Sequence, residues 1–189
     1  AGREMLPPRG RLYFFYAMDC DDDNPLPSGL TASERGTFPV YYSEHPTSSL
    51  KRTNIPADVS EEGRYKPLQM KFSVIATIPD SFHPALRLLG LRTTDLQLQY
   101  GDVVRGCEPD LGSAAHNQVL GYPSPIQNPV CLDVQMGVTD YWAGNRDRTS
   151  EADEKLWDAA LKPATDWELL LQVDTQDDKN GMIWGDCGR

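Results

Sequence analysis

The sequence predicts an α+β fold with mainly antiparallel strands and a few helices. Residues 167–174 form an apolar run, Trp-Glu-Leu-Leu-Leu-Gln-Val-Asp, closed by Gln172 and Asp174, which reads as a buried strand leaving the core. Just before it, Leu156, Trp157, Ala160 and Leu161 recur at helical spacing. The remaining β-prone runs are short and separated by long polar loops, without the regular β-α-β alternation of a doubly wound parallel sheet.

Taken in order, residues 12–16 (Leu-Tyr-Phe-Phe-Tyr) are aromatic and β-prone, and residues 37–43 alternate as a second strand. Between them lies a loop with Asp19, Asp21, Asp22, Asp23, Pro25 and Pro27, so the pair predicts a hairpin with a long connection. Residues 44–67 hold few large apolar side chains and carry Pro46, Pro56 and Gly63, as a surface excursion does. Met70, Phe72, Val74 and Ala76 repeat at period two, which predicts a strand over 68–78 with one buried face.

Residues 82–91 predict a short helix ended by Gly90, and residues 93–99 either extend it or form a separate turn. The clearest helix spans 150–161, with Ser150 as N-cap, Asp153 three residues on, and Pro163 as its stop. It leads into the strand at 167–174, expected to be central in its sheet. Asp177-Asp178-Lys179-Asn180-Gly181 then reads as a tight hairpin turn, because Asn and Gly adopt positive φ cheaply, and Met182-Ile-Trp-Gly opens the next strand.

With 189 residues, 39% hydrophobic and 24% charged, the chain can bury the core of one domain over residues 1–189. No apolar run approaches the ~20 residues that span a bilayer, so no membrane partner is expected. Cys20, Cys107, Cys131 and Cys187 form no Cys-x-x-Cys pair, which excludes a zinc ribbon or redox motif and fits reduced thiols in the cytoplasm. Lys plus Arg total 18 against 28 Asp plus Glu, a formal net charge of -10. A field of that sign repels nucleic acid and speeds encounter with a basic protein.

Any imidazole chemistry must use His45, His83 or His116. His45 sits in the polar excursion and His83 precedes Pro84, and both read as surface residues; His116 introduces the Gly121-Tyr122-Pro123 loop and could line a groove. There is no Gly-x-Ser-x-Gly elbow, no phosphate loop and no dinucleotide turn, so neither a catalytic residue nor a cofactor is expected. The acidic runs at 19–24 and 174–180 lack the central Gly and terminal Glu of a calcium loop, and no metal is expected.

What remains is a constellation of Tyr122, Gln127, Gln172, Asp174, Trp184 and Asp186, joined by His116. Read structurally, Gln127 clamps the Gly-Tyr-Pro loop and Asp186 caps backbone amides, since a buried polar group left unpaired costs roughly 1 to 3 kcal/mol. Read functionally, the same groups face a shallow groove between Trp184 and Tyr122.

Three blocks also carry a resemblance: Gly10-Arg-Leu-Tyr-Phe-Phe-Tyr16, Leu120-Gly-Tyr-Pro-Ser-Pro-Ile-Gln127, and Leu170-Leu-Gln-Val-Asp174 followed by Trp184-Gly-Asp-Cys-Gly188. In this order they look like the YwqG-like family of bacterial domains of unknown function. The resemblance covers roughly residues 7–189, with 44–68 matching poorly. It implies two related halves, with Gly188-Arg189 in the place of Gly10-Arg11, and a chain that is the incomplete middle of a longer domain. It further implies a setting near bacterial toxins, hence a non-catalytic protein-binding role of immunity or antitoxin type with a basic toxin domain as partner. The alternative is a small-ligand-binding domain or enzyme that uses the Gln-Asp-Trp groove.

Overall fold

The computed structural model describes residues 2–16, 38–57, 59, 61, 64–107, 117–125, 128–139 and 151–175. Within these, the architecture is α+β: helices with short antiparallel strands in two small sheets.

The first sheet pairs β1 (Arg11–Phe14) with β2 (Val40–Ser43), antiparallel, with Leu12 opposite Tyr42 and Tyr13 opposite Tyr41. The expected hairpin therefore forms, with shorter strands. Phe15 N–H still donates to Pro39 O at 3.1 Å, but Pro39 has no N–H to return, and the ladder ends there. Gly10 enters β1 at φ 91°, where a Cβ would stand 2.6 Å from the Tyr42 ring and 2.8 Å from Ser43 O. Only glycine fits that approach.

Among its described residues, the polar excursion beyond β2 is irregular apart from a 3-10 turn at Thr47–Ser49. Arg11 ties it down: its guanidinium donates to His45 O at 2.9 Å and to Thr47 Oγ1. The strand expected at 68–78 does not form. Met70, Phe72 and Val74 are all exposed, Val74 completely, because period-two spacing defines a face and no neighbouring strand among the described residues supplies a ladder for it.

Helix α1 (Pro84–Leu88) sits inside the expected 82–91 span. Gly90 closes it at φ 101°: Leu91 N–H donates to Leu86 O and Gly90 N–H to Arg87 O, the paired bonds of a left-handed glycine cap. Residues beyond it form neither an extension nor a turn but a new helix, α2 (Thr94–Cys107), started by Thr93, whose Oγ1 accepts from Leu96 N–H. Tyr100 on α2 donates its hydroxyl to Pro79 O at 2.9 Å.

Helix α3 (Val130–Val138) has no counterpart among the expected elements. It packs on α4 (Glu151–Ala164), and this pair supplies the core: Leu132 and Met136 meet Ala160, Leu161 and Ala164, with Trp157 at the margin. Helix α1 packs on the same α4. Pro163 does not stop α4 but lies within its last turn, where the one hydrogen bond it removes is near the end, and Thr165 N–H closes the helix onto Lys162 O. The buried positions 157, 160, 161 and 164 follow one helical face through the proline.

The second sheet is a two-residue pairing of β3 (Gln118–Val119) with β4 (Leu171–Gln172), Gln118 opposite Gln172 and Val119 opposite Leu171. Leu120 N–H adds a bond to Leu170 O at 3.3 Å. The long strand expected over 167–174 thus contracts, and instead of a central position β4 has one partner among the described residues. Leu169 and Leu171 are half-buried. The hairpin turn at 177–181, the strand at 182–187 and Gly188-Arg189 fall outside the described residues, as does the Ser150 cap.

Candidate functional site

Two regions concentrate polar or aromatic side chains: the loop after β3, and the face of the β1–β2 hairpin. The loop begins with Leu120 at φ 61° and Gly121 at φ 79°, consecutive left-handed residues that reverse the chain. A non-glycine residue in that region is uncommon, so the turn needs support from its neighbours. Thr77 gives one anchor: its Oγ1 accepts from Tyr122 N–H at 3.0 Å, and a Cβ on Gly121 would stand 2.5 Å from the same oxygen.

Gln172 gives the second. Its Oε1 accepts from Ser124 N–H at 3.0 Å while its Nε2 donates to Ser124 O at 3.1 Å, so one side-chain amide pairs with both backbone groups of Ser124 as a neighbouring strand would. Gln118, opposite on β3, donates from Nε2 to Tyr122 O at 2.6 Å and lies 3.5 Å from Gln172 Oε1. A third bond lies before β3, where Asp174 N–H donates to Asn117 Oδ1 at 2.9 Å, and Asp174 Oδ1 accepts from Thr175 N–H at 2.9 Å.

Of the expected groove residues, Tyr122, Gln172 and Asp174 therefore meet around this one loop. His116, Gln127, Trp184 and Asp186 lie outside the described residues. The clamp described is made by Gln172 and Gln118; the part expected of Gln127 falls among the residues not described.

His83 corrects the sequence reading. Far from being a surface residue, it is 7% exposed and its ring stands edge-on to Tyr122, centroids 5.2 Å apart at 86°. Its Nδ1 accepts from Ala85 N–H at 3.2 Å, making it the N-cap of α1. Two reasons place it there. Pro84 has no N–H and Leu86 and Arg87 donate to His83 O, which leaves Ala85 as the donor in want of a side-chain acceptor. Asp80 fixes the approach, its Oδ1 accepting from Phe82 N–H and its backbone carbonyl from His83 N–H. The signal in the sequence is Asp80-Ser-Phe-His83-Pro84, a turn residue four before a helix-starting proline.

Burial governs the titration of this neighbourhood. It pushes His83 below its ordinary 6.5, against the pull of Asp80 and Glu168, and pushes Asp80 above its ordinary 3.8, against the Phe82 N–H and His83. Tyr100 is raised by burial and then by Asp80 and Tyr122. Cys131, at the start of α3, is raised to about 11 by burial first and by the charge of Asp80 next. Its thiol is thus held protonated, and no hydrogen bond joins it to His83, which disfavours a Cys–His nucleophile here. Among the described residues no three His, Cys, Asp or Glu side chains are placed to hold a metal ion, and no helix is long and apolar enough to cross a membrane.

The hairpin presents a different surface. Phe15, Tyr16 and Tyr41 are each at least half exposed, and Phe14 and Tyr42 nearly so. Phe15 meets Tyr41 edge-on at 5.7 Å, and Tyr16 stacks on Phe38 at 4.9 Å. At the far end the Tyr42 hydroxyl lies 2.9 Å from Arg9 O and 2.8 Å from Glu44 Oε1, and Arg9 pairs with Glu44 at 2.9 Å. The Glu44 hydrogen bond, chiefly, raises the Tyr42 pKa. These contacts order the aromatic side chains while leaving roughly half of each exposed.

Neither a curated protein nor a solved structure matches the chain. One family does, described as "Domain of unknown function (DUF1963)", and the match spans residues 1–189. The chain belongs to that family.

Proposed function

We propose that this domain works by contact with a protein partner and performs no catalysis of its own. The observation that carries the reading is the exposed aromatic side chains of the hairpin, Phe15 with Tyr41 on one side of the ribbon and Phe14, Tyr16 and Tyr42 on the other, because clustered exposed aromatics are what protein interfaces use as anchors and what a surface otherwise avoids. The partner is basic. The chain carries a formal charge of -10, and the run Asp19, Asp21, Asp22, Asp23 falls in sequence between the two strands that bear the aromatics.

The finer reading follows the resemblance to the YwqG-like family: a domain of two related halves, acting in the cytoplasm as an immunity or antitoxin-type protein against a basic toxin domain. The loop held by Gln172, Gln118 and Thr77 supports the non-catalytic part of this reading, since the amide of Gln172 is committed to Ser124. Co-expression with the product of the adjacent reading frame tests it. Rescue of growth together with co-purification supports the proposal; turnover of a small substrate by the purified domain, abolished by changing Asp174 without loss of stability, favours an enzyme instead.

A further inference from the structure

His83 holds together parts of the chain that are distant in sequence. Its imidazole caps the first free N–H of α1, and its ring packs edge-on against Tyr122 in the loop after β3. Helix α1 in turn packs on α4. The cap needs a bare Nδ1, for a protonated nitrogen there would point a hydrogen at the Ala85 N–H and put a positive charge at the positive end of the helix. We propose that His83 is an acid-sensitive latch on α1: neutral, it caps the helix while its ring packs on Tyr122, and proton uptake at Nδ1 breaks the cap.

The groups facing His83 decide whether a proton is welcome. Asp80 on its own turn and Glu168 beyond α4 favour the charged ring, but burial outweighs them. Tyr122 from the loop offers a ring edge contact, and Arg87 is the charged residue of α1, its Nε buried without a hydrogen-bond partner. Tyr100 of α2 and Cys131 of α3 stand in the field of Asp80, both shifted toward the neutral form.

The sign follows from linkage. Because His83 titrates lower in the fold than its ordinary 6.5, unfolding takes up a proton below that pH, and stability falls as the solution is acidified. Asp80 works in the opposite sense: raised above 3.8, it favours the fold at acid pH and loses that contribution as pH rises.

His83→Asn separates the two, since asparagine caps a helix without titrating and leaves Asp80 in place. Urea unfolding of the intact chain across the acid range is the measurement. For wild type, the folded-to-unfolded ratio drops by up to about tenfold per pH unit below 6.5, and the drop due to His83 is missing in His83→Asn. NMR titration of the wild-type chain provides the second readout, with the Ala85 amide shift following the His83 imidazole at a midpoint below 6.5. An equal acid loss in His83→Asn, or an imidazole that titrates at or above 6.5 without moving the Ala85 amide, overturns the latch.

Discussion

Gly121 and Gly90 show how much a single hydrogen atom in place of a side chain decides. Both have positive φ, but a Cβ on Gly90 meets nothing within 4 Å, whereas on Gly121 it meets Thr77 Oγ1 at 2.5 Å. Gly90→Ala therefore carries backbone strain of about 1 kcal/mol, and Gly121→Ala adds a clash and the loss of the Thr77–Tyr122 bond, for about 2 to 4 kcal/mol in all. Denaturant unfolding of the two variants checks the order; equal effects would mean that Thr77 does not anchor the turn. At this scale the sequence was partly legible. Tyr122, Gln172 and Asp174 could be picked out as polar or aromatic groups at a strand end, yet what Gln172 holds, the backbone of Ser124, depends on a contact 48 residues away. His83 misled because its place before Pro84 reads as an exposed turn, whereas the ring it packs on, Tyr122, is distant in sequence.

Elements succeed or fail in the sequence according to whether their partner is local. Helix α4 was legible because Leu156, Trp157, Ala160 and Leu161 recur at helical spacing, although Leu156 proves exposed, and its end was misplaced by a proline tolerated in the last turn. Helix α3 was missed because Val130, Leu132, Val134, Met136 and Val138 also fit period two, and only the neighbourhood of α4 selects the helix. At 68–78 period two misled in another way, since the alternation is there but the stretch is neither strand nor helix. Leu132→Ala and Leu161→Ala should each cost about 2 to 5 kcal/mol, the range for emptying a packed core site. Because the two side chains share one cluster, the double variant should depart from additivity by roughly 0.5 kcal/mol or more, and strict additivity would argue against a common core. Pro163→Ala, which restores an N–H to the last turn of α4, should instead raise the urea midpoint.

Among the described residues, two small sheets and a helical core built by α3 and α4 leave the aromatic side chains of the hairpin exposed. The fold class was readable from the mix of strand-like and helix-like runs; the placing of aromatics in water was not, since an aromatic strand reads as buried by default. Thermal unfolding with and without a chelator should coincide, and a fall of many degrees on chelation would reveal a metal that the spacing of His, Cys and acidic residues does not suggest. Association should depend on salt: changing Asp21, Asp22 and Asp23 together to Asn should slow encounter with a basic partner more than it speeds dissociation, because exposed charges act mainly on the on-rate.

Rates of association and dissociation between this domain and the product of the adjacent reading frame test protein contact most directly. Binding through the hairpin predicts that Phe15→Ala with Tyr41→Ala raises the dissociation rate at least about tenfold, as loss of an interface anchor worth over 1.4 kcal/mol does, while the fold is retained. Absence of binding, or binding indifferent to both aromatic residues, would contradict it.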